Sequence, residues 1–137
     1  DRKALISYEA AINANRQLPE PHYRRALLLI QLDRLNEARS DLNASLQLQP
    51  IFPEANYWVG RVDFAQGRYR ESLVRFQRAV EQAAGSYPEA LYYQGLAEEQ
   101  LGLRDAAIAS FRATIVQRDA GAWAGEARAA LTRLGVQ

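Results

Sequence analysis

The chain has 137 residues, 48% of them apolar, and its 17 basic and 16 acidic residues give a net charge of +1. This length suits one domain, and the charge balance excludes the strong field that attracts nucleic acid or an anionic membrane. Cysteine is absent, which excludes disulfides and thiolate chemistry but leaves the compartment open between periplasm, envelope and cytoplasm. The longest apolar stretch, residues 26–30, is too short to span a bilayer. We therefore expect a soluble segment with no nucleic-acid partner and no membrane insertion.

A repeat of about 34 residues runs through the sequence. It is marked by the dipeptides Pro19-Glu20, Pro53-Glu54 and Pro88-Glu89 and by a column of small residues at Ala26, Gly60 and Gly95. Self-similarity at a fixed period predicts stacked supersecondary units rather than one globular core. The other aligned columns hold Asp33, Gly67 and Gly102; Ala38, Ser72 and Ala107; Leu42, Phe76 and Phe111; and Ser45, Ala79 and Thr114.

Each repeat predicts a pair of helices. Proline is tolerated in a first helical turn, so Pro53 marks a helix start, and Glu54 places a negative charge where the helix dipole favours it. That helix should end at Gly67, because glycine readily adopts the left-handed conformation that follows a helix. Aspartate also tolerates this conformation, so Asp33 fits the same column. The predicted helices occupy residues 1–16, 53–66, 69–83, 88–101, 104–118 and 121–134, with a further pair in the repeat at residues 19–52.

Two further local predictions follow from the alignment. Asn36 and Asp105 share the column just before a second helix, where a side chain that caps the helix N-terminus belongs. Tyr87 lengthens its repeat to 35 residues and is interpreted as an insertion that bends the chain locally.

The repeat is out of phase with the ends of the sequence. Residues 1–18 match a second helix without its first, and residues 121–137 match a first helix or a capping helix. We therefore expect a segment of a longer array, with possible self-association through the end helices. Only one of the 17 basic residues is lysine, Lys3, which weakly indicates a GC-rich and bacterial coding sequence.

These columns resemble the tetratricopeptide repeat, a helix–turn–helix unit of 34 residues, over essentially the whole chain. The resemblance implies an all-α, right-handed solenoid of antiparallel helix pairs with about eight helices. It divides the chain into a truncated repeat at 1–18, repeats at 19–52, 53–87 and 88–120, and a final helix at 121–137.

Some positions depart from the family pattern. A column usually apolar holds His22, Asn56 and Leu91, and a column usually filled by a large tyrosine holds Leu29, Asp63 and Glu98. Carboxylates at a buried column require partners, because burying an unpaired charge is costly. We therefore expect Asp63 and Glu98 to be paired.

Catalytic groups are scarce. His22 is the one histidine, so no second histidine can join it on a metal, and it is interpreted as a partly exposed helix residue. Neighbouring carboxylates on a helix, such as Glu98 and Glu99, point in different directions. We predict no enzyme activity, no cofactor and no metal. Arginines of the middle repeat's second helix and its entry are interpreted as a solvated outer face: Arg68, Arg70, Arg75 and Arg78.

The family resemblance implies that first helices line a concave face, where partners bind. Positions on that face hold a tyrosine in every repeat, next to other aromatic and charged residues, a composition typical of protein-recognition surfaces. The lysine and asparagine clamp by which some family members hold a C-terminal carboxylate is not matched. The candidate partner-binding residues are Tyr23, Arg24, Tyr57, Trp58, Arg61, Phe64, Tyr92, Tyr93 and Glu99.

Three functions fit the sequence. The leading one is a non-catalytic scaffold that binds a peptide or protein in the concave groove as part of a larger protein or complex. A second is a structural spacer or oligomerisation segment of a bacterial envelope or polysaccharide-export assembly. A third is a regulatory segment of a multidomain enzyme. The double variant Tyr57→Ala with Tyr92→Ala should impair only the first of these functions, the binding of a partner.

Overall fold

The structure is a computed structural model that describes residues 2–136. Its described residues form helices without strands, which confirms the all-α prediction. The helices in chain order are α1 (Arg2–Ala14), α2 (Pro19–Gln31), α3 (Leu35–Leu48), α4 (Pro53–Ala65), α5 (Tyr69–Gln82), α6 (Pro88–Gln100), α7 (Arg104–Ile115) and α8 (Ala122–Arg133).

The first helices of the repeats end in the same backbone motif. Asp33, Gly67 and Gly102 have positive φ values of 58°, 78° and 77°. The backbone N–H of the next residue then donates to a backbone carbonyl in the last helical turn. For example, the Arg68 N–H donates to the Asp63 carbonyl oxygen at 2.8 Å. This arrangement satisfies carbonyls that the helix itself leaves without a donor. The prediction that aspartate replaces glycine in this column is confirmed.

The prediction that Asn36 and Asp105 cap the second helices is wrong. Only three residues separate each first helix from its second, so the helices begin at Leu35 and Arg104, one residue earlier. Both side chains therefore lie inside the first turn. Asn36 instead accepts a hydrogen bond from the Gln66 side chain at 2.9 Å, and Asp105 supplies negative charge near the positive end of α7.

Small residues and rings pack the two helices of a unit together. A Cβ on Gly60 would lie 2.6 Å from the Phe76 ring, and a Cβ on Gly95 would lie 2.6 Å from the Phe111 ring. Both rings are fully buried. The column of small residues therefore exists because the second helix places a ring directly against the backbone of the first.

First helices form the inner layer of the solenoid. Helix α4 contacts α2 on one side and α6 on the other, and α6 also contacts α8. The second helices α1, α3, α5 and α7 do not contact one another within residues 2–136. Their separation opens grooves on the outer side, whereas the adjoining first helices make a continuous concave surface.

Tyr87 is not the inserted residue. It precedes α6 as Phe52 precedes α4, and the two residues have nearly equal φ values of −154° and −151°. The backbone N–H groups of Phe52 and Tyr87 also donate to equivalent side-chain oxygens, those of Gln82 and Gln117, both at 3.1 Å. The extra residue thus lies earlier in the loop at 83–86, which contains Gly85 with a φ of 114°.

The two carboxylates at the buried column are paired, as expected. Asp63 is fully buried and accepts a hydrogen bond from Arg39 Nε at 2.9 Å. Glu98 is 5% exposed and accepts one from the Ser110 hydroxyl at 2.5 Å. Arg39 and Ser110 lie on second helices, whereas Asp63 and Glu98 lie on first helices. These hydrogen bonds therefore join adjacent helices through polar contacts.

Candidate functional site

The concave surface presents most of the predicted binding residues, but not all of them. Eight of the nine are exposed or partly buried, whereas Tyr57 is only 4% exposed. Tyr57 thus belongs to the core on which the surface is built, and a partner would not reach its ring directly. The eight accessible residues are Tyr23, Arg24, Trp58, Arg61, Phe64, Tyr92, Tyr93 and Glu99.

Arg61 is the centre of the site. Its guanidinium carbon lies 4.1 Å from the centroid of the Tyr93 ring and 5.3 Å from that of the Trp58 ring. Arg61 Nη1 also donates a hydrogen bond to the Tyr57 hydroxyl at 2.8 Å. A guanidinium within about 6 Å of an aromatic face is attracted to the ring electrons. These contacts hold the cation in place without using a carboxylate.

Aromatic rings form a continuous cluster beneath and beside this cation. Tyr93 lies at its middle, with ring centroids 5.4 Å from Tyr92 and 6.0 Å from Phe64. The Trp123 ring of α8 lies 5.4 Å from Tyr92 and 6.0 Å from Tyr93. The cluster therefore joins α4, α6 and α8 into one surface.

Trp123 was missed by the sequence analysis. The repeat pattern matched residues 121–137 to a first helix or a capping helix, and only a first helix would place Trp123 on the concave side. Its aromatic character in an otherwise alanine-rich helix was the available signal.

A shallow cavity of about 240 Å³ opens next to Arg61. It lies between α2 and α4, with Tyr93 of α6 at its end, and its surface is mostly apolar. The lining residues are Ile30, Leu35, Trp58, Arg61, Val62, Phe64, Ala65 and Tyr93. This volume is below the 300–1,000 Å³ typical of small-molecule pockets, so it suits a side chain of a larger partner.

Two tyrosines next to the site, the buried Tyr57 and the half-buried Tyr87, have perturbed ionisation. Burial raises the pKa of Tyr57 to about 12, although the positive charge of Arg61 opposes this rise. Burial also raises the pKa of Tyr87, and the negative charges of Glu54 and Glu89 add to that effect. The two rings lie 5.4 Å apart. Both phenols thus remain protonated at neutral pH, and the Tyr57 hydroxyl keeps its role as acceptor for Arg61.

Arg24 and Glu99 are engaged elsewhere. Arg24 Nε lies 3.0 Å from Glu20 on the same helix, with both side chains more than half exposed. Glu99 accepts from Arg133 of α8 at 2.6 Å. Exposed pairs of this kind contribute little to stability. They set the local charge of the surface but are not shown in contact with the aromatic cluster.

The outer-face interpretation holds for three of the four arginines. Arg68, Arg70 and Arg78 are exposed. Arg75, in contrast, is half-buried and donates to the Asn56 Oδ1 at 3.2 Å. The prediction of a solvated side chain is wrong for Arg75, because its side chain contacts the polar side of α4 through the gap between the second helices.

His22 lies close to an acidic side chain. Its Nδ1 is 3.6 Å from Asp41 Oδ1, and the imidazole is 12% exposed. Residues 2–136 contain no group of three or more histidine, aspartate or glutamate side chains arranged to hold a metal ion. Within the same residues no helix has the length and apolar character needed to cross a membrane.

Comparison with known sequences identifies relatives with the same repeat. Tetratricopeptide repeat protein 13 of Homo sapiens is 32% identical over 115 residues, covering 84% of this chain and 13% of that protein. Small glutamine-rich tetratricopeptide repeat-containing protein 2 of Mycosarcoma maydis is 30% identical over 78 residues, covering 57% of this chain and 22% of that protein. The chain therefore spans less than a quarter of either relative.

Solved structures share the fold. The crystal structure of MamA aligns with a TM-score of 0.80 at 22% identity, over 96% of this chain and 77% of that one. The structure of YrrB, described as a TPR protein with an unusual peptide-binding site, aligns with a TM-score of 0.75 at 20% identity, over 82% of this chain and 57% of that one. The family model described as Tetratricopeptide repeat matches residues 23–86 and 60–122. The chain belongs to the tetratricopeptide repeat family.

Proposed function

We propose that this segment is a non-catalytic scaffold that binds a peptide or protein partner in the concave groove around Arg61. The observation that carries the proposal is a cation held by aromatic rings beside an apolar cavity of about 240 Å³. Exposed tryptophan, tyrosine and arginine side chains dominate the binding energy of protein interfaces. The peptide-binding site described for YrrB, which has the same fold, is consistent with this use of the groove.

The geometry favours a particular kind of peptide. Arg61 has five N–H donors, of which one donates to the Tyr57 hydroxyl. The others can therefore bind a carbonyl or carboxylate oxygen of a partner. The neighbouring cavity accepts an apolar side chain against Trp58 and Phe64. A matching peptide therefore carries an apolar residue close to an acidic residue or to its own C-terminal carboxylate.

The binding residues fall into two classes. Trp58 and Arg61 contact the partner, whereas the buried Tyr57 positions Arg61 through its hydroxyl. Replacing Tyr57 with alanine would therefore damage the core as well as the site. Trp58→Ala and Arg61→Ala are the sharper tests, because both side chains are only partly buried.

A random peptide library displayed on phage can be selected against the immobilised chain, and enriched peptides measured by fluorescence anisotropy. We expect Trp58→Ala and Arg61→Ala each to weaken binding by roughly thirtyfold, as at interface hot spots. Arg70→Ala is a matched control, because this exposed arginine lies on the outer helix α5. Failure to enrich any sequence, or equal affinity for the wild type and both groove variants, would contradict the proposal.

The spacer and oligomerisation role predicts a different result. It requires contacts through the end helices, and Ile6 of α1 is 59% exposed there. Sedimentation velocity at increasing concentration tests this role, since Ile6→Glu should then abolish self-association. A regulatory role within a larger enzyme concerns the rest of a longer chain, whose sequence would test it.

A further inference from the structure

One position of the repeat carries chemically different residues in the three second helices. Asp41 of α3, Arg75 of α5 and Ser110 of α7 each immediately precede the large residue that packs between the helices. Asp41 and Arg75 each line a groove between successive second helices, and Ser110 holds the equivalent position of α7.

Two of the three side chains have partners inside the chain. Asp41 is 6% exposed and accepts two hydrogen bonds from Arg25, at 2.6 and 2.7 Å. Ser110 donates to the buried Glu98 at 2.5 Å. In both repeats, the side chain at this position is therefore bonded within the chain, in a pair that combines a carboxylate with a donor.

Arg75 in the middle repeat lacks such a partner. Its one hydrogen bond among residues 2–136 goes to the neutral amide oxygen of Asn56, at 3.2 Å. Val59 occupies the position at which Arg25 pairs with Asp41 one repeat earlier, so that position cannot supply a charge. Burial and the neighbouring positive charge of Arg78 lower the pKa of Arg75. The cation is thus half-desolvated without a bonded carboxylate.

The nearest carboxylate attracts Arg75 without bonding to it. The Oδ1 of Asp63 accepts from Arg39 Nε at 2.9 Å, and its buried Oδ2 has no hydrogen-bond partner. Arg78 forms no ion pair in the part of the chain that the structure describes. Arg78 and Arg39 both place positive charge near Arg75, and Asp63 is the carboxylate that opposes them.

A groove of suitable size lies in front of these cations. The space between α3 and α5 measures about 410 Å³, and α4 forms its floor. Its lining contains amide and guanidinium donors without any carboxylate. The lining residues are Asn43, Leu46, Gln47, Pro50, Asn56, Arg75 and Arg78. Guanidinium groups recognise carboxylate and phosphate oxygens through paired N–H donors.

We propose that the outer groove between α3 and α5 is an oxyanion-binding site, in which Arg75 and Arg78 bind a carboxylate or phosphate group. The anion supplies Arg75 with acceptor oxygens, as Asp41 and Glu98 supply them to Arg25 and Ser110 in the neighbouring repeats. The site is independent of the concave groove, because it lies in the gap between second helices. A failure of one proposal therefore leaves the other standing.

The test is an NMR titration of the arginine side-chain Nε–H signals in the 137-residue chain at constant chloride concentration. Sodium phosphate is added in one arm and the blocked peptide acetyl-Glu-Glu-Glu-amide in the other. We expect the signals of Arg75 and Arg78 to shift and saturate with at least one anion. Arg75→Gln and Arg78→Gln should each weaken binding by roughly tenfold or more, the effect of losing a charge-assisted hydrogen bond.

Arg70→Gln on the same helix is the control and should leave the affinity unchanged, because its side chain is exposed and does not line the groove. Arg78 is also exposed, so Arg78→Gln should retain the fold, which far-UV circular dichroism verifies. Tighter binding of phosphate would identify a free or phosphoryl anion, and tighter binding of the peptide would identify an acidic protein segment. Shifts that do not saturate, or that are equal in wild type and both groove variants, would overturn the proposal.

Discussion

The contact between Gly60 and Phe76 allows a quantitative test of how the helices of one unit pack. A Cβ at Gly60 would lie 2.6 Å from the ring, which is 0.8 Å closer than the 3.4 Å at which ordinary van der Waals contact begins. The ring is fully buried, with its centroid 6.0 Å from Tyr57 and 5.8 Å from Tyr93. It therefore has little room to retreat, and overpacking of this kind costs about 1–3 kcal/mol.

The same substitution elsewhere in the chain supplies the control. Gly125 is an exposed glycine inside α8, and a Cβ there would meet nothing within 4 Å. Both substitutions gain about 1 kcal/mol because alanine favours a helix over glycine. Gly125→Ala should therefore stabilise the protein by about 1 kcal/mol. Gly60→Ala should be less stable than Gly125→Ala by the overpacking cost alone, about 1–3 kcal/mol.

Urea unfolding followed by circular dichroism measures both variants under identical conditions. The second substitution Phe76→Leu, introduced together with Gly60→Ala, should recover part of the loss, because a smaller side chain leaves space for the new methyl group. If Gly60→Ala proves as stable as Gly125→Ala, the small-residue column is not explained by the ring, and the packing argument fails.

Two further predictions concern ionisation and backbone conformation. The pKa of Tyr57 is raised from 10.0 to about 12, and that of Tyr87 is raised as well, so the folded state holds both protons more tightly than the unfolded state. The stability that these groups contribute is therefore complete below pH 10 and is lost as the pH rises towards 12. Tyrosinate absorbance should show late-ionising phenols, Tyr57 and Tyr87 among them, whose titration accompanies the loss of helical signal. Ionisation of all seven tyrosines near pH 10 with helices intact would contradict this. Asp33 has a φ of 58°, so Asp33→Gly should stabilise the protein by up to about 1 kcal/mol. Gly67→Ala, at a φ of 78°, should destabilise it by a similar amount. Urea midpoints that move in the opposite directions would refute the backbone argument.

Local features of the fold were predictable because they depend on residues close together in the sequence. First-turn prolines and the Asp33, Gly67 and Gly102 column defined the first helices to within about a residue. The predicted starts of two second helices, at residues 69 and 104, match α5 and α7, but their predicted ends at 83 and 118 lie one and three residues too far. Asn36 and Asp105 were assigned to the wrong helical position, because the turn before each second helix is so short that the helix begins one residue before them.

The candidate site was predictable as a set but not in detail. Projecting one helical face identified Trp58, Arg61 and Tyr93, which the structure brings together. The same projection could not tell that Tyr57 is buried, because burial depends on Tyr87 and Phe76 from other helices.

By itself, the sequence determined the period, the all-α class and the family, since each follows from backbone preferences and from small residues facing large ones at a fixed spacing. Only the tertiary structure decided which side chains of each repeat become partners. Arg75 illustrates the reason. Its position is equivalent to that of Asp41 and Ser110, yet whether a charge finds a counter-charge depends on residues distant in the sequence, such as Arg25, 16 positions from Asp41. Electrostatic pairing is set by three-dimensional distance, so it is visible only once the helices are packed.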